Sequence, residues 1–240
     1  MNKTLRVDKY LANSGFMSRK EIREIVKSGR VKVNDKVISD PGTHVKLSID
    51  NVYLDDELIK YKKYIYIMLN KPKNVITATF DNKHKTVLDI LPEEYKKFNL
   101  SPVGRLDIDT EGLLLLTNDG DLNHNLLSPK KHVYKTYYTL LEKPISINDI
   151  EQFEKGVRLD DGYVTMPAKL YEAQSEDKES NCVFVEIKEG KFHQVKRMFE
   201  AIGNKVLYLK RVKMGTLVLD EKLLPGQYRE LSNYEEMTLM

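Results

Sequence analysis

Between Gly104 and Gly120 the chain carries Arg105, Asp107, Asp109 and Glu111, then the run Leu113-Leu114-Leu115-Leu116, then Thr117-Asn118-Asp119-Gly120. A short acidic segment with one arginine thus leads into an apolar strand and closes on Asn-Asp-Gly, a turn signal. An apolar run of this kind reads as a strand buried on both faces. Carboxylates at its mouth are held by a rigid element, as a reactive group needs to be. A carboxylate so held can attack an electrophile or help draw off a proton. Strand alternation does not separate Asp107 from Asp109, because both would point to one face. The ordinary alternative is a solvated loop before a core strand, with the acids capping or pairing with Arg105.

Two other segments carry usable side chains. Lys135-Thr136-Tyr137-Tyr138 follows Ser128-Pro129-Lys130-Lys131-His132 and reads as a strand. Its adjacent tyrosines point opposite ways, and an exposed ring face can stack an unpaired base for ~1–3 kcal/mol. A half-buried strand tyrosine is the plain alternative. Glu189-Gly190-Lys191-Phe192-His193-Gln194-Val195-Lys196-Arg197-Met198 ends a strand and begins a helix. A cation there favours the ionised form of a neighbouring carboxylate; without such a neighbour, Lys-Arg on a helix is a solvated face. His44, His84, His124, His132 and His193 show no ligand spacing, and Cys182 is the single cysteine, which excludes an internal disulfide and a cysteine zinc cage. No metal and no cofactor is expected.

The elements that must position these groups are mostly strands. Tyr64 to Leu69, Gly112 to Thr117, Tyr134 to Leu141, Val183 to Lys188 and Val206 to Met214 are aromatic, β-branched or otherwise apolar. Ile147 to Lys155 and Gln194 to Ile202 have helical spacing. Strands without regular βα alternation predict an α+β domain on a largely antiparallel sheet. Gln174 to Asn181 reads as a polar loop between strands. Ahead of this domain, Val7 to Ala12 and a turn at Asn13-Ser14-Gly15 precede a helix over Arg19 to Lys27. Ser18 opens that helix with Glu21 in capping-box position, and Ile22, Ile25 and Val26 fall on one face. Val31-Lys32-Val33, Asn34-Asp35 and Lys36-Val37-Ile38 form a hairpin signal, Asp40-Pro41-Gly42 a further turn, and the polar stretch Asp55 to Lys63 a short linker.

With 240 residues, 41% hydrophobic and 31% charged, the chain has room for two domains and a sizeable core. No apolar run approaches the ~20 residues of a membrane-spanning helix. The opening Met-Asn-Lys-Thr-Leu-Arg has no hydrophobic signal core, so no export, no membrane and a cytoplasmic location are expected. A monomer is expected, because no extra hydrophobic segment advertises an interface. The net charge of +3 is small, but residues 1 to 36 hold ten Lys/Arg against four acids, and residues 37 to 60 two lysines against five acids. That gradient reads as a basic binding face on a small module.

Arg6-Val7-Asp8-Lys9-Tyr10-Leu11-Ala12, Ser18-Arg19-Lys20-Glu21 and Gly29-Arg30-Val31-Lys32-Val33-Asn34 resemble the S4-type RNA-binding domain over about residues 4 to 50. In that family basic residues around the second helix and hairpin contact RNA phosphates. The resemblance places this role on Arg19, Lys20, Arg23, Arg30 and Lys32.

Gly104-Arg105-Leu106-Asp107 through Thr110, Gly112-Leu113-Leu114 and the Leu-Leu-Thr-Asn-Asp-Gly continuation resemble the central motif of the pseudouridine synthases, without departure. The branch it resembles contains the ribosomal small-subunit synthase A and its large-subunit relatives, which also carry an S4-like domain. The implied fold is α+β: an S4-like (α-L) domain at 1–58, a linker at 59–63, and at 64–240 a catalytic domain on a mainly antiparallel mixed β-sheet. The implied activity is isomerisation of one uridine in ribosomal RNA, with ribosomal RNA or an assembling subunit as partner. By the same resemblance Asp107 is the nucleophile, Arg105 fills the gap left by the extruded uridine and Tyr137 stacks on it. Lys196 pairs with the carboxylate, although many relatives have arginine there, and Arg197 faces RNA phosphate. Lys71-Pro72 resembles the opening motif and is given no chemistry; Leu224 to Arg229 resembles the closing strand-turn pattern.

His193-Gln194-Val195-Lys196-Arg197-Met198 resembles the small-subunit branch, where large-subunit relatives carry an Asn-Arg-Glu-type variant. The alternatives are a large-subunit target or a non-catalytic ribosome-assembly factor with the same fold. A glycosidase using Asp107 and Asp109 is disfavoured, because nothing in the sequence shows a carboxylate pair ~5–9.5 Å apart across a sugar.

Overall fold

A computed structural model describes residues 3–14, 19–96, 98–173 and 181–239. They form two compact units, Met1–Ile65 with Leu91–Leu100, and Tyr66–Ile90 with Ser101–Met240.

The first unit contains β1 (Thr4–Arg6), α1 (Val7–Asn13), α2 (Arg19–Lys27), β2 (Val31–Val33), β3 (Lys36–Ile38), β4 (His44–Lys46), β5 (Val52–Leu54), β6 (Glu57–Ile59) and the short α3 (Glu93–Lys96). β1 pairs with β4, and a second sheet runs β3-β2-β5-β6. The apolar stripe of α2 buries Ile22 and Val26 against Val7, Leu11, Val31, Val45 and Val52, with Ile25 at the margin. The β2–β3 hairpin turns at Asn34-Asp35, with Asn34 left-handed at φ 54°. β5 and β6 turn through Asp55 and Asp56 at φ 49° and 68°. Two successive left-handed residues make the mirror-image turn that suits a twisted hairpin. The polar stretch from Asp55 therefore includes a strand rather than only linker. The Asp-Asp pair lacks the glycine that ordinarily signals such a turn. Tyr10 on α1 donates to Ile59 O at 2.8 Å, tying β6 to the helices. Gly15, Ser18 with its capping-box role, and residues 174–180 of the polar loop lie outside the described residues.

The second unit holds β7 (Tyr66–Lys71), β8 (Ser101–Pro102), β9 (Glu111–Thr117), α4 (Gly120–Leu127), β10 (Lys135–Leu141), α5 (Ile147–Lys155), β11 (Lys169–Glu172), β12 (Cys182–Ile187), α6 (Gln194–Ala201), β13 (Val206–Met214), β14 (Leu217–Val218), β15 (Tyr228–Glu230) and α7 (Asn233–Leu239). Its sheet runs β11-β12-β10-β13-β9-β7-β15, with β14 on β13 and β8 on β9. The pairings are antiparallel except β13 with β9, which run parallel over Lys210↔Glu111 and Arg211↔Gly112. This is the mainly antiparallel mixed sheet of an α+β fold. Leu113 to Leu116 are each 0% exposed, as the unbroken apolar run requires.

Asn118-Asp119-Gly120, read from sequence as a turn, instead starts a helix. Asp119 is the N-cap of α4, accepting from Leu122 N at 3.1 Å, and takes the Tyr66 hydroxyl at 2.7 Å. Asp is as good a cap as a turn former, and the apolar residues after it (Leu122, Leu126, Leu127) are too sparse to separate the two. Among the described residues no helix is long and apolar enough to cross a membrane.

Candidate active site

The acidic segment ahead of β9 is not a strand extension. Residues 107–110 form a turn, closed by Thr110 N donating to Asp107 O at 3.1 Å. The alternation that would have put Asp107 and Asp109 on one face therefore does not apply. The Asp107 side chain is 30% exposed and that of Asp109 60%.

Three residues, Thr77, Asn74 and Lys71, hold this turn. Thr77 Oγ1 donates to Leu106 O at 2.8 Å and accepts from Leu106 N at 3.1 Å. Asn74 N donates to Ile108 O at 2.8 Å. Lys71, 0% exposed at the end of β7, donates from Nζ to Thr110 O at 2.9 Å, Pro72 O at 3.0 Å and Ile108 O at 3.4 Å. Burial pulls the Lys71 pKa down to about 8, against the opposing pull of Asp109, Asp107 and Glu111. A side chain given no chemistry from sequence is thus a clamp under the acidic turn. Its lysine looked like an ordinary strand end, and only long-range packing reveals the carbonyls it meets.

Gly112 explains itself by proximity. A Cβ there would lie 2.2 Å from Arg211 O, so β9 can pair with β13 at this point only without a side chain.

Asp107 lines a cleft of about 940 Å³ together with Arg105, Tyr137, Glu189, His193 and Arg211. A smaller pocket shares Asp107, Arg105 and Tyr137 with it and adds Lys196. The structure therefore brings together Asp107, Tyr137, Arg105 and Lys196. Tyr137 is 8% exposed, and its neighbour Tyr138 turns to the other face, where its hydroxyl meets Cys182 Sγ at 2.8 Å. Arg105 is exposed on the rim, without a hydrogen bond or ion pair among the described residues.

The cation is shared between two carboxylates. Lys196 Nζ, on α6, lies 3.7 Å from Asp107 Oδ2, but makes its hydrogen bonds to Asp109 at 2.6 and 2.7 Å. Burial raises the Asp109 carboxyl's pKa, but the Lys196 hydrogen bond and charge outweigh it and hold the group below its ordinary value. His193, left-handed at φ 48°, brings Nε2 to 3.7 Å from Asp107 Oδ1, and Phe192 stacks on its ring at 3.8 Å. His193 had no role in the sequence reading; its contact depends on a strained backbone conformation that residue type does not announce.

Arg197 points elsewhere. Its guanidinium is held by Asp160 and by Asp161 at 2.7 Å, so the expected open phosphate contact is occupied by two carboxylates. The loop before α6 is braced by Glu189, which accepts from Tyr163 Oη at 2.7 Å, Met166 N at 2.9 Å and Gln194 Nε2 at 2.7 Å.

In the first unit, Lys20 and Arg23 are exposed on α2, and Arg23 Nε lies 3.7 Å from Asp8. Arg30 is paired bidentately with Asp55, and Lys32 reaches Asp56 at 2.5 Å. The Arg19 backbone begins α2; its side chain lies outside the described residues.

A cleft with a carboxylate, an aromatic ring and a cation, set on this sheet, is suited to an enzyme that acts on an extruded base, and the chain also carries a separate small unit with exposed basic residues. The sequence profile described as RNA pseudouridylate synthase matches residues 65–201, and that of the S4 domain residues 5–48. The chain is 49% identical, over 98% of both chains, to an uncharacterized RNA pseudouridine synthase, YtzG, of Bacillus subtilis. It is 40% identical to the ribosomal small subunit pseudouridine synthase A of Pseudomonas aeruginosa, over 97% of this chain and 99% of that one. With the Escherichia coli protein of the same name it shares 38% over 96% and 98%. A crystal structure of a pseudouridylate synthase, 36% identical, superposes with a TM-score of 0.68 over 98% of this chain and 100% of that one. The chain belongs to the RNA pseudouridylate synthase family, isomerases that act on RNA, and carries an S4 domain ahead of its synthase domain.

Proposed function

We propose that the chain converts one uridine of small-subunit ribosomal RNA to pseudouridine, with the Asp107 carboxylate as nucleophile. The observation that carries this reading is the convergence of Asp107, Tyr137 and Lys196 on one pocket, open to a cleft large enough for an extruded nucleoside. The target base must first leave its stack. Arg105, unpaired on the rim, fills the gap, and the Tyr137 ring receives the base.

The reaction breaks the N1–C1′ bond, turns the uracil and joins C5 to C1′. C5 loses its proton and N1 gains one, so atoms balance and no electrons are exchanged. Asp107 attacks the sugar or base, or draws off the proton that opens a glycal route. Lys196 places a cation 3.7 Å from the Asp107 oxygen while Asp109 holds that cation in position. A carboxylate facing anionic RNA has no use in a protein that only binds, which favours catalysis over an assembly factor.

The small-subunit assignment is supported by the relatives named synthase A, alike over nearly their whole length. We take residues 1–58 as the module that holds RNA and 64–240 as the catalytic domain, acting as a monomer in the cytoplasm on free RNA or an assembling subunit. Sedimentation of the pure protein checks the monomer.

The decisive test maps pseudouridines in ribosomal RNA from cells with the protein, without it, and with Asp107→Ala. Loss of one small-subunit site in both altered strains is expected. Loss of a large-subunit site moves the target, and an unchanged map overturns the isomerase reading.

A further inference from the structure

Arg211 is the most deeply buried cation in the cleft wall, at 1% exposure. It lies on β13 opposite Tyr137 of β10, so the two side chains share a sheet face. Nε donates to Leu113 O at 2.8 Å, which fixes the plane of the guanidinium. Neither terminal nitrogen has a partner among the described residues, and Nη2 is both fully buried and unpaired.

An arginine with no carboxylate against it and its fork unfilled is unusual, because buried charges are paired or hydrogen-bonded. The surroundings add to the positive charge. Lys135, two residues before Tyr137, lines the same cleft, with Nζ donating to Val133 O at 3.0 Å. Burial and then the Arg211 charge pull the Lys135 pKa down, with Glu189 opposing. Lys188 and Lys191 also line this wall. Glu189, the nearby carboxylate, has both oxygens engaged by Tyr163, Met166 and Gln194.

A neutral uracil carbonyl would be served by one donor. A flat fork backed by a second desolvated cation matches a tetrahedral anion with several oxygens. We propose that Arg211, supported by Lys135, is a preformed phosphate subsite. It grips the phosphate attached to the extruded uridine, and thereby orients the sugar over Asp107. This deepens the reading above and rests on it: the anion is an RNA phosphate because the substrate is RNA. Arg211 here is a binding and positioning residue for the nucleotide and does not itself react.

The test titrates the full-length protein with uridine, uridine 5′-monophosphate and uridine 3′-monophosphate, following binding by NMR. One of the two nucleotides is expected to bind wild-type protein about tenfold or more tighter than the nucleoside. Arg211→Gln, which keeps a donor for Leu113 O but removes the charge, should bring that nucleotide down to the nucleoside's affinity while leaving uridine binding unchanged. Arg211→Lys should restore part of the preference. A cooperative thermal melt of each variant shows that it is folded.

Equal affinity of nucleotides and nucleoside for wild-type protein overturns the subsite, as does failure to bind any of them. So does a loss in Arg211→Gln that is the same for uridine and nucleotide, which marks a base contact or structural damage. Because these titrations need no turnover, they fail separately from the isomerase reading, which the same protein's release of tritium from C5 of uridine in ribosomal RNA decides.

Discussion

Four cations of the S4 unit and two of the cleft stand in opposite positions. In the S4 unit Arg6 and Arg23 share the largely buried Asp8, while Arg30 holds Asp55 and Lys32 holds Asp56 on solvent-facing side chains. In the cleft Arg105 and the terminal nitrogens of Arg211 meet no carboxylate among the described residues. Exposed pairs are worth ~0–1 kcal/mol and are screened by salt. A phosphate can displace such a carboxylate at little cost and with little selectivity. An unpaired cation in a dry wall has nothing to exchange and is already shaped for its ligand. On the proposed function, the first arrangement suits holding RNA and the second suits positioning one nucleotide of it.

The largest effect belongs to the cleft. Asp107→Asn should reduce tritium release from C5 of uridine by about 10⁴-fold or more, with RNA affinity within about twofold of wild type. A residual rate within tenfold of wild type would break the comparison, because the cleft would then only bind.

Lys71→Met comes next. Losing the clamp under the acidic turn should lower turnover by about 100-fold at pH 7, while RNA binding is retained. The same lysine gives wild type a pH signature. Its folded pKa of about 8 lies below its unfolded value near 10.5. Between those values the unfolded chain keeps more protons, so Lys71's contribution to stability rises with pH. Turnover should fall over the same range, as the clamp loses its charge. Single-turnover rates and urea midpoints from pH 7 to 10 read the two trends; if they move together, Lys71 does not act through the turn.

The S4 face should respond more weakly. Changing Arg19, Lys20 and Arg23 together to Ala should lower RNA affinity about tenfold and reduce the salt slope by about 2, at unchanged saturated turnover. Arg30→Ala alone should cost about twofold, since its charge is already spoken for by Asp55. Asp55→Asn should do the reverse and tighten RNA binding, as seen in filter-binding titrations at two salt concentrations.

The smallest effect is a control within the catalytic unit. Arg229 is gripped by Asp220 and Glu235, and its guanidinium holds the Glu235 pKa down to about 2. A carboxyl lowered this far adds stability above its unfolded pKa near 4.5 and loses it as pH falls towards 2. Glu235→Gln should therefore cost about 1–2 kcal/mol at pH 7, vanish near pH 2 and leave turnover untouched. Urea unfolding at the two pH values measures this.

The cleft was legible in sequence where residue type and local spacing decide. The run before Asn118 announced a buried strand and the adjacent tyrosines announced opposite faces, while the motif around Asp107 carried the resemblance to the family. What stayed hidden depends on contacts between residues far apart in the chain. Lys71 finds the carbonyls of Ile108 and Thr110 only when β7 packs beside β9. Arg211 becomes a cleft residue only through its register with Tyr137. Lys196 pairs with Asp107, as the resemblance implied, and its stronger hydrogen bonds to Asp109 were hidden because a turn, not a strand, separates the two carboxylates. The pairing of Arg197 was hidden too, since its partners, Asp160 and Asp161, come from another loop.

The parallel contact of β9 with β13, made possible by Gly112, works as a seam. On one side a ribbon of antiparallel strands is led into by the segment that holds Asp107 and Arg105; on the other a second ribbon carries Tyr137 and Arg211. Each ribbon is laced by its own ladder, whereas the backbone register across the seam spans Glu111 and Gly112, supplemented by side-chain bonds from Arg211 to Leu113 O and from Tyr208 to Glu111. A slight swivel at this seam would change the gap between Asp107 and the side chains opposite it without unravelling either ribbon. Substitutions at the seam should accordingly detune the reaction rate well before they melt the protein.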